Sequence, residues 1–586
     1  MKKLLFTIAV FGSGFMAQSQ VICAVQAPAG IAGNYEFTWA DPAGGDWGTP
    51  DFLIPGTFVV DTLMMVDDGA VGNNATYGNP LAEEGCSPSP ANAYAGKICV
   101  IRRNTCEFGL KAFQAQQAGA VGVIIVNREP GVIAMGGGAD GVNVTIPVAF
   151  VSDATGALMI TQMANGPVVV FLGNKTGLYN NDGGLTKGTS LISKSSGVVA
   201  QLAANGSEFN FAVGTRVFNY GIDDQPNATV TATVTDPTGA TVYSNTVGPI
   251  AIVSGDSAEF FPGGANSFPD FSMLTYTPGR YTLTYSLDLG IGDDYDADNT
   301  VSSDFVVNDT IFTYAMIDTV TGLPMTDNGY RPSTNNATFS TCMVIKDPNA
   351  SRIGVSGIYF SASTATASGV ELTGEEMTLN LYKWEDVFTD LNDAALGFTA
   401  LNAVTFGYYF YPSDLQGETV YGEFNTQVIL EDNQRYLACV QTVNLNVYLG
   451  HDTKTNYLMN ESYYLQPMTP NESDGTYFAV GFGSDAISSM GLRVFSADEL
   501  TLDEVAKIEG MAYPNPATEV VTVSMDAEGS AKLKVTDVTG KIALESAVSL
   551  VNGKTEVNIA ALESGVYIFN VTLENGQTSQ FNVVKK

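Results

Sequence analysis

Apolar and polar residues alternate with a period of two through much of the chain. Val230, Ala232 and Val234 alternate with threonines ahead of the turn Asp236-Pro237-Thr238-Gly239, and Tyr281-Thr282-Leu283-Thr284-Tyr285-Ser286-Leu287 repeats the pattern. A period of two predicts half-buried antiparallel strands, and short strands at this spacing predict a seven-stranded Ig-like sandwich over 198–309. A larger β region follows over 310–497, with the aromatic run Phe406-Gly407-Tyr408-Tyr409-Phe410-Tyr411 and an alternating stretch at 434–441. Its size suits a jelly-roll-like sandwich. Near the amino end the pattern changes. Ile98-Cys99-Val100-Ile101 and Val121-Gly122-Val123-Ile124-Ile125-Val126 are continuous apolar runs. Between them 107–118 holds helix formers, with Phe108, Ala112 and Ala115 on one side and Gly119 as the stop. Strand, helix and strand in so short a span predict a βαβ unit. Residues 174–197, rich in Gly, Ser, Thr and Asn, read as a linker, and 498–510 as an acidic one. Alternation resumes over 511–586 in a small sandwich. The predicted fold class is mainly β with one α/β domain.

Two segments resemble known families. The last begins Tyr513-Pro514-Asn515-Pro516, carries an Asp537-Val538-Thr539-Gly540-Lys541 turn and a Ser564-Gly565-Val566-Tyr567 strand, and ends Lys585-Lys586. This order resembles the type A C-terminal sorting domain of type IX secretion cargo, with Tyr513, Pro514, Asn515, Pro516, Gly540, Lys541, Gly565 and Tyr567 as the matching positions. The resemblance implies handling by the type IX secretion machinery, export through the periplasm to the outer surface or medium, and anchoring there as one outcome after removal of the domain. Gly96 to Phe108, then Lys111 to Ile125, then Thr145 to Ser152 resemble a protease-associated (PA) domain over 34–173. Arg103-Asn104 departs from that family, which usually has Gly after the Arg. Such domains accompany peptidases and receptors without supplying catalytic groups, so the resemblance implies docking or binding.

The amino end agrees with export. Met1-Lys2-Lys3, the apolar Leu4 to Val10 and Ala17-Gln18-Ser19 read as a signal peptide over 1–19, with the mature chain starting at Gln20. Val21-Ile22 lacks the small residue that a lipobox needs before Cys23. No later segment has the roughly twenty apolar residues of a membrane helix.

Length and charge narrow the function classes. The 586 residues suit about four domains. A net charge of −35 argues against a general nucleic-acid or anionic-membrane binder, which needs a basic face. There is one histidine, His451, whereas a two-His zinc site needs two imidazoles and a Ser-His-Asp triad needs one beside a nucleophile. A turn or surface histidine is the plainer reading of Gly450-His451-Asp452, and no Gly-x-Ser-x-Gly elbow occurs. Catalytic residues are therefore assigned to none.

Cys86 and Cys106 flank the first PA-like strand and, in an oxidising compartment, form a candidate disulfide; Cys99 reads as a buried thiol. Cys342 and Cys439 are either a second bridge or two free thiols. Asp294, Asp296 and Asp298 stand at positions one, three and five of a calcium loop, but Asn299 and Phe305 replace its Gly and bidentate Glu. A looser calcium site and a solvated acidic loop both fit; no other cofactor is expected.

These observations point to an exported, non-catalytic binding or adhesion protein that captures a protein or glycan ligand. One alternative is an accessory or degenerate member of a secreted peptidase system that uses the PA domain for docking. Another is a carboxylate-only glycoside hydrolase in the large sandwich.

Overall fold

The computed structural model describes residues 20–129, 131–332, 338–364, 369–385, 388–398, 401–481, 487–499, 510–537, 541–573 and 578–586. Residues 1–19, read above as a signal peptide, most of the predicted acidic linker and Gly540 lie outside the described residues. The chain divides into two compact units, residues 495–586 with 351–354 forming one and the remainder up to 494 the other.

The first module of the larger unit is an eight-stranded sheet. Its order is Gly33–Asn34, Val21–Ala27, Val169–Asn174, Phe58–Met65, Ile98–Arg102, Gly122–Val126, Val148–Val151, Phe37–Trp39. The four strands from Phe58–Met65 to Val148–Val151 run parallel, and antiparallel strands flank them. A central strand of this kind is covered on both faces, which is why its sequence is apolar throughout. Cys99 and Ile101 pack with Ala112 and Ala115 of the Phe108–Gln117 helix. Ile98 and Val100 face the other way, into a cluster with Met159 of the Asp153–Met163 helix. Gly119, at φ +91°, ends the first helix in a left-handed turn that a side chain would strain. The boundary predicted at residue 34 moves outward: Val21–Ala27 pairs with Val169–Asn174, so Cys23 is buried within the sheet.

The predicted linker over 174–197 is corrected. Gly183–Ser190 is a strand, buried except at Lys187, in a three-stranded sheet with Thr215–Asn219 and Ser257–Glu259. Its glycines are there for lack of room. A Cβ at Gly183 would stand 2.7 Å from the side chains of Leu287 and Leu289. This small sheet faces Thr241–Ile252, Gln225–Thr235, Gly279–Asp288 and Thr300–Asn308, which adjoin in that order. Phe211, Val217, Val230, Tyr281, Leu283 and Phe305 fill the space between.

The boundary expected between the two larger sandwiches, at 309/310, is not a break. Gly197–Val199 pairs in parallel with Thr300–Asn308 and on its other side meets Ile311–Thr313, which pairs with Met490–Ser496. One sheet thus runs from the Ig-like region into the next. There a six-stranded antiparallel sheet has the order Leu401–Phe410, Glu376–Trp384, Arg435–Thr442, Phe339–Ile345, Asn471–Ser473, Thr476–Phe478. Its inner face packs on Thr419–Ile429, tightly enough that a Cβ at Gly422 would meet Leu379 Cδ1 at 2.3 Å.

The smaller unit is a sandwich of three strands (Gly510–Tyr513, Val520–Met525, Lys554–Asn558) and four (Ile542–Leu550, Gly529–Asp537, Gly565–Leu573, Thr578–Lys585). Val521, Val523, Leu533, Val535, Phe569 and Val571 form its core.

Candidate binding surface

The aromatic run at 406–411 sits on the edge strand Leu401–Phe410, and the pleat sorts it between two faces. Tyr411 is buried, and Tyr409 leans inward with its ring 5.5 Å from Phe360. Phe406, Tyr408 and Phe410 point the other way and are 44%, 51% and 57% exposed, with Val404 beside them at 39%. Phe406 and Tyr408 meet edge to face at 5.7 Å.

Polar residues continue this face. Asn380, Thr378 and Glu376 stand opposite Phe406, Tyr408 and Phe410 on the next strand. The register then carries one row across the whole sheet: Tyr408, Thr378, Gln441, Ser340, Glu472, Tyr477. Gln441 Nε2 donates to Ser340 Oγ at 3.1 Å, and Ser340 Oγ donates to Glu472 Oε2 at 2.9 Å. The other Glu472 oxygen accepts the Gly475 N–H. These bonds fix the orientation of the row, and tyrosines stand at both its ends. One row along on the same face, Cys342 and Cys439 stand in register and form a disulfide, buried with Trp384, Phe388 and Leu396. The sequence located this strand; only the pairing register reveals the row.

His451 is elsewhere and buried, 1% exposed. Its Nδ1 lies 3.0 Å from the Leu449 carbonyl, and burial lowers the imidazole to about 4, against a smaller upward effect of that carbonyl. The expectation of a turn or surface histidine is corrected: it is a neutral side chain inside the Val447–Asp452 strand.

In the PA-like module, Cys86 and Cys106 are joined. Next to them Glu84 is buried and accepts bonds from Asn74 Nδ2 (2.8 Å), Asn104 Nδ2 (2.8 Å) and Thr105 Oγ1 (2.5 Å). Burial pushes its carboxyl up, but these donors and the nearby Lys111 outweigh it and hold the group below its usual range. Lys111 is fully buried, donates to the Glu84 carbonyl at 2.6 Å, and is pushed down to about 8 by burial. Cys99 is a buried thiol, raised to about 12 by burial.

Asp294, Asp296 and Asp298 are not brought together, which corrects the reading of them as one calcium loop. Asp294 Oδ2 accepts the Asn181 N–H, Asp296 is exposed, and Asp298 turns inward to Lys175 Nζ at 3.0 Å. Among the described residues no group of three His, Cys, Asp or Glu side chains is arranged to hold a metal ion. Lys175 also contacts Asp182 Oδ1 at 2.5 Å, and the side chains of this pair have no exposed surface. Sequence reasoning missed this cluster altogether.

Of the sorting positions, Asn515 is tied to the last strand: it donates to the Asn582 carbonyl and accepts from the Val584 N–H, both at 2.8 Å. Tyr567 donates to the Glu563 carbonyl at 3.0 Å, and the Lys541 N–H reaches Asp537 Oδ1 at 3.1 Å. Tyr513, Pro514 and Pro516 are exposed, and Gly565 opens the strand that holds Tyr567.

Residues 68–159 match the PA domain family, and 511–585 match the secretion system C-terminal sorting domain. Leucine aminopeptidase 2 of Arthroderma otae is 42% identical over 76 residues, 13% of this chain and 15% of that protein. Leucine aminopeptidase 2 of Trichophyton rubrum is 38% identical over 100 residues, 17% of this chain and 19% of that protein. The chain thus spans less than a fifth of the length of these relatives. An aminopeptidase from Aneurinibacillus sp. strain AM-1 aligns with 17% identity over 27% of this chain and 30% of its own, at a TM-score of 0.17. Among the described residues no helix is long and apolar enough to cross a membrane. The chain is a type IX secretion cargo with a PA domain and a C-terminal sorting domain, exported to the extracellular space or the outer cell surface.

Proposed function

We propose that the exported protein is a non-catalytic binding protein that captures glycans on the outer face of its six-stranded sheet. The observation that carries this is the exposed row of Phe406, Tyr408 and Phe410 running beside a hydrogen-bonded polar row. A sugar ring has apolar C–H faces and a polar rim. Flat aromatic surface takes the first, and the half-buried side chains of Thr378, Asn380 and Gln441 beside it take the second. The location of His451 supports a non-catalytic role, because a buried neutral imidazole is unavailable to a solvent-facing metal or nucleophile. The PA domain then adds a second docking surface.

The test is a glycan and peptide array probed with the mature protein and with the double variant Tyr408→Ala, Phe410→Ala. Binding to a set of glycans, weakened about tenfold or more in the variant, roughly 1.4 kcal/mol, is the expected result. Retention on peptides only, or glycan binding that the variant leaves unchanged, would reject the reading.

A further inference from the structure

Lys175 follows the last strand of the PA-like sheet, and Asp182 precedes the first strand of the Ig-like region. The Lys175 N–H bonds to the Gln20 carbonyl, and the Asp182 carbonyl accepts from Tyr220 and Gly221. The two residues are therefore fixed by different modules. Lysine is almost never fully buried unless paired. Here one ammonium faces two carboxyls, Asp182 Oδ1 at 2.5 Å and Asp298 Oδ2 at 3.0 Å. The rings of Tyr220 and Tyr295 lie 4.7 and 4.4 Å from Nζ. Asp182 Oδ2 and Asp298 Oδ1 are buried without a hydrogen-bond partner. Three ionisable groups in an aromatic shell, with carboxyl oxygens that lack a protein donor, are a costly arrangement.

We propose that Lys175 and Asp182 condense to an intramolecular amide between Nζ and Cγ, with Asp298 moving the protons. Lys175 starts as an ammonium, Asp182 as the neutral acid and Asp298 as the carboxylate. Asp298 takes one proton from Nζ, and the freed lone pair attacks Cγ of Asp182. The Cγ–OH bond then breaks, and the hydroxyl leaves as water with a second proton from Nζ. The product is a neutral amide, one water and a protonated Asp298, so atoms and charge balance without any oxidant or co-reactant.

The starting protonation states suit this cluster. Burial first, and then the charges of Asp298 and Asp293, raise Asp182 to about 7 against the pull of Lys175. Burial, opposed by Lys175, raises Asp298 to about 6. Burial thus favours a proton on this carboxyl pair beside the Lys175 ammonium. Tyr179, Tyr220 and Tyr295 are raised and stay neutral. Holding amine and carboxyl together removes the entropic part of the barrier. The amide replaces a buried ion pair and braces the joint between the PA-like and Ig-like modules.

Mass spectrometry of the secreted mature protein tests this. Intact mass should be lower by one water than the sequence requires after allowing for the disulfides. Trypsin cannot cut after an acylated Lys175, so residues 129–187 should emerge as one peptide, one water light, whose fragmentation places the link between Lys175 and Asp182. Asp298→Asn, which keeps the shape but cannot take the proton, should show the full mass and normal cleavage at Lys175. Wild-type protein of full mass cleaved at Lys175 would overturn the proposal without recourse to any variant. Water loss confined to Asp182-Gly183 as a succinimide, or a link from Lys175 to Asp298, would overturn it equally.

Discussion

Asn104 donates from Nδ2 to Oε1 of Glu84 at 2.8 Å, and both residues are buried. The position at which the chain departs from the PA pattern thus provides one of three side-chain donors to a buried carboxylate. The same carboxylate stands beside the buried ammonium of Lys111, whose charge helps to keep it ionised.

Asn104→Gly restores the usual family residue and should nevertheless destabilise this module. Hydrogen bonds to charged groups contribute about 1.5–3 kcal/mol each. Amide exchange over residues 84–106 should quicken correspondingly, while the sorting domain is unaffected. Glu84→Ala should cost more, roughly 3–5 kcal/mol, because it strands Lys111 without its compensating charge. Equal exchange in wild type and both variants would remove the network from any role in stability.

Removing the Cys342–Cys439 bridge should loosen the proposed binding sheet. The bridge spans 97 residues, and closing a loop of about 100 residues contributes up to ~4.7 kcal/mol on the chain-entropy account. Calorimetry of Cys342→Ala, Cys439→Ala should show the transition of the large β region several degrees lower. An unchanged transition would show that packing alone holds these strands.

Glu461 predicts an alkaline weakness. It is 5% exposed and its Oε1 accepts the Met468 N–H at 3.2 Å; burial, opposed by that bond, raises it from 4.5 to about 8. The folded state therefore keeps this proton after the unfolded chain has lost it. The stability it contributes is fully present below pH 4.5, declines as pH rises, and is gone above about 8. The slope between is up to about 1.4 kcal/mol per pH unit. Urea unfolding at pH 5, 7 and 9 should show this decline in the wild type and a flatter profile in Glu461→Gln. Parallel profiles would exclude Glu461 as its source.

Asn515→Ala should impair export by loosening the sorting domain from within. It removes two bonds to the last strand, each worth about 0.5–1.5 kcal/mol. The variant should accumulate in the periplasm and its module should unfold at lower denaturant concentration. Normal delivery by a measurably destabilised module would assign the motif a recognition role only.

Several features could be read from sequence because they are local. The run 98–101, the helix formers at 107–118 and the run 121–126 each carry their own periodicity, and their order dictates a βαβ unit. The sorting motifs are legible for the same reason. What escaped is set by tertiary register. Residues 183–190 look like a linker because glycines forced by close packing have the same letters as glycines of a loose chain. Lys175, Asp182 and Asp298 look like ordinary solvated charges until three segments converge on them. Phe406, Tyr408 and Phe410 announce a strand, but which face of it meets water depends on what Gly407 and Tyr409 pack against. The acidic run at 293–298 left two readings open, a looser calcium site and a solvated loop, and its letters do not show that Asp298 turns inward to Lys175 while Asp296 stays exposed.

The sorting domain is stitched end to end. The Ala517 N–H bonds to the Val584 carbonyl, the Lys586 N–H returns to the Ala517 carbonyl, and Asn515 grips residues 582 and 584. The Tyr513 to Pro516 opening therefore acquires its shape only when residues 582–586 have arrived beside it. A polypeptide broken off before that point displays the letters of the address without its form. Built this way, the module gives its opening motif a form that depends on residues some seventy positions later.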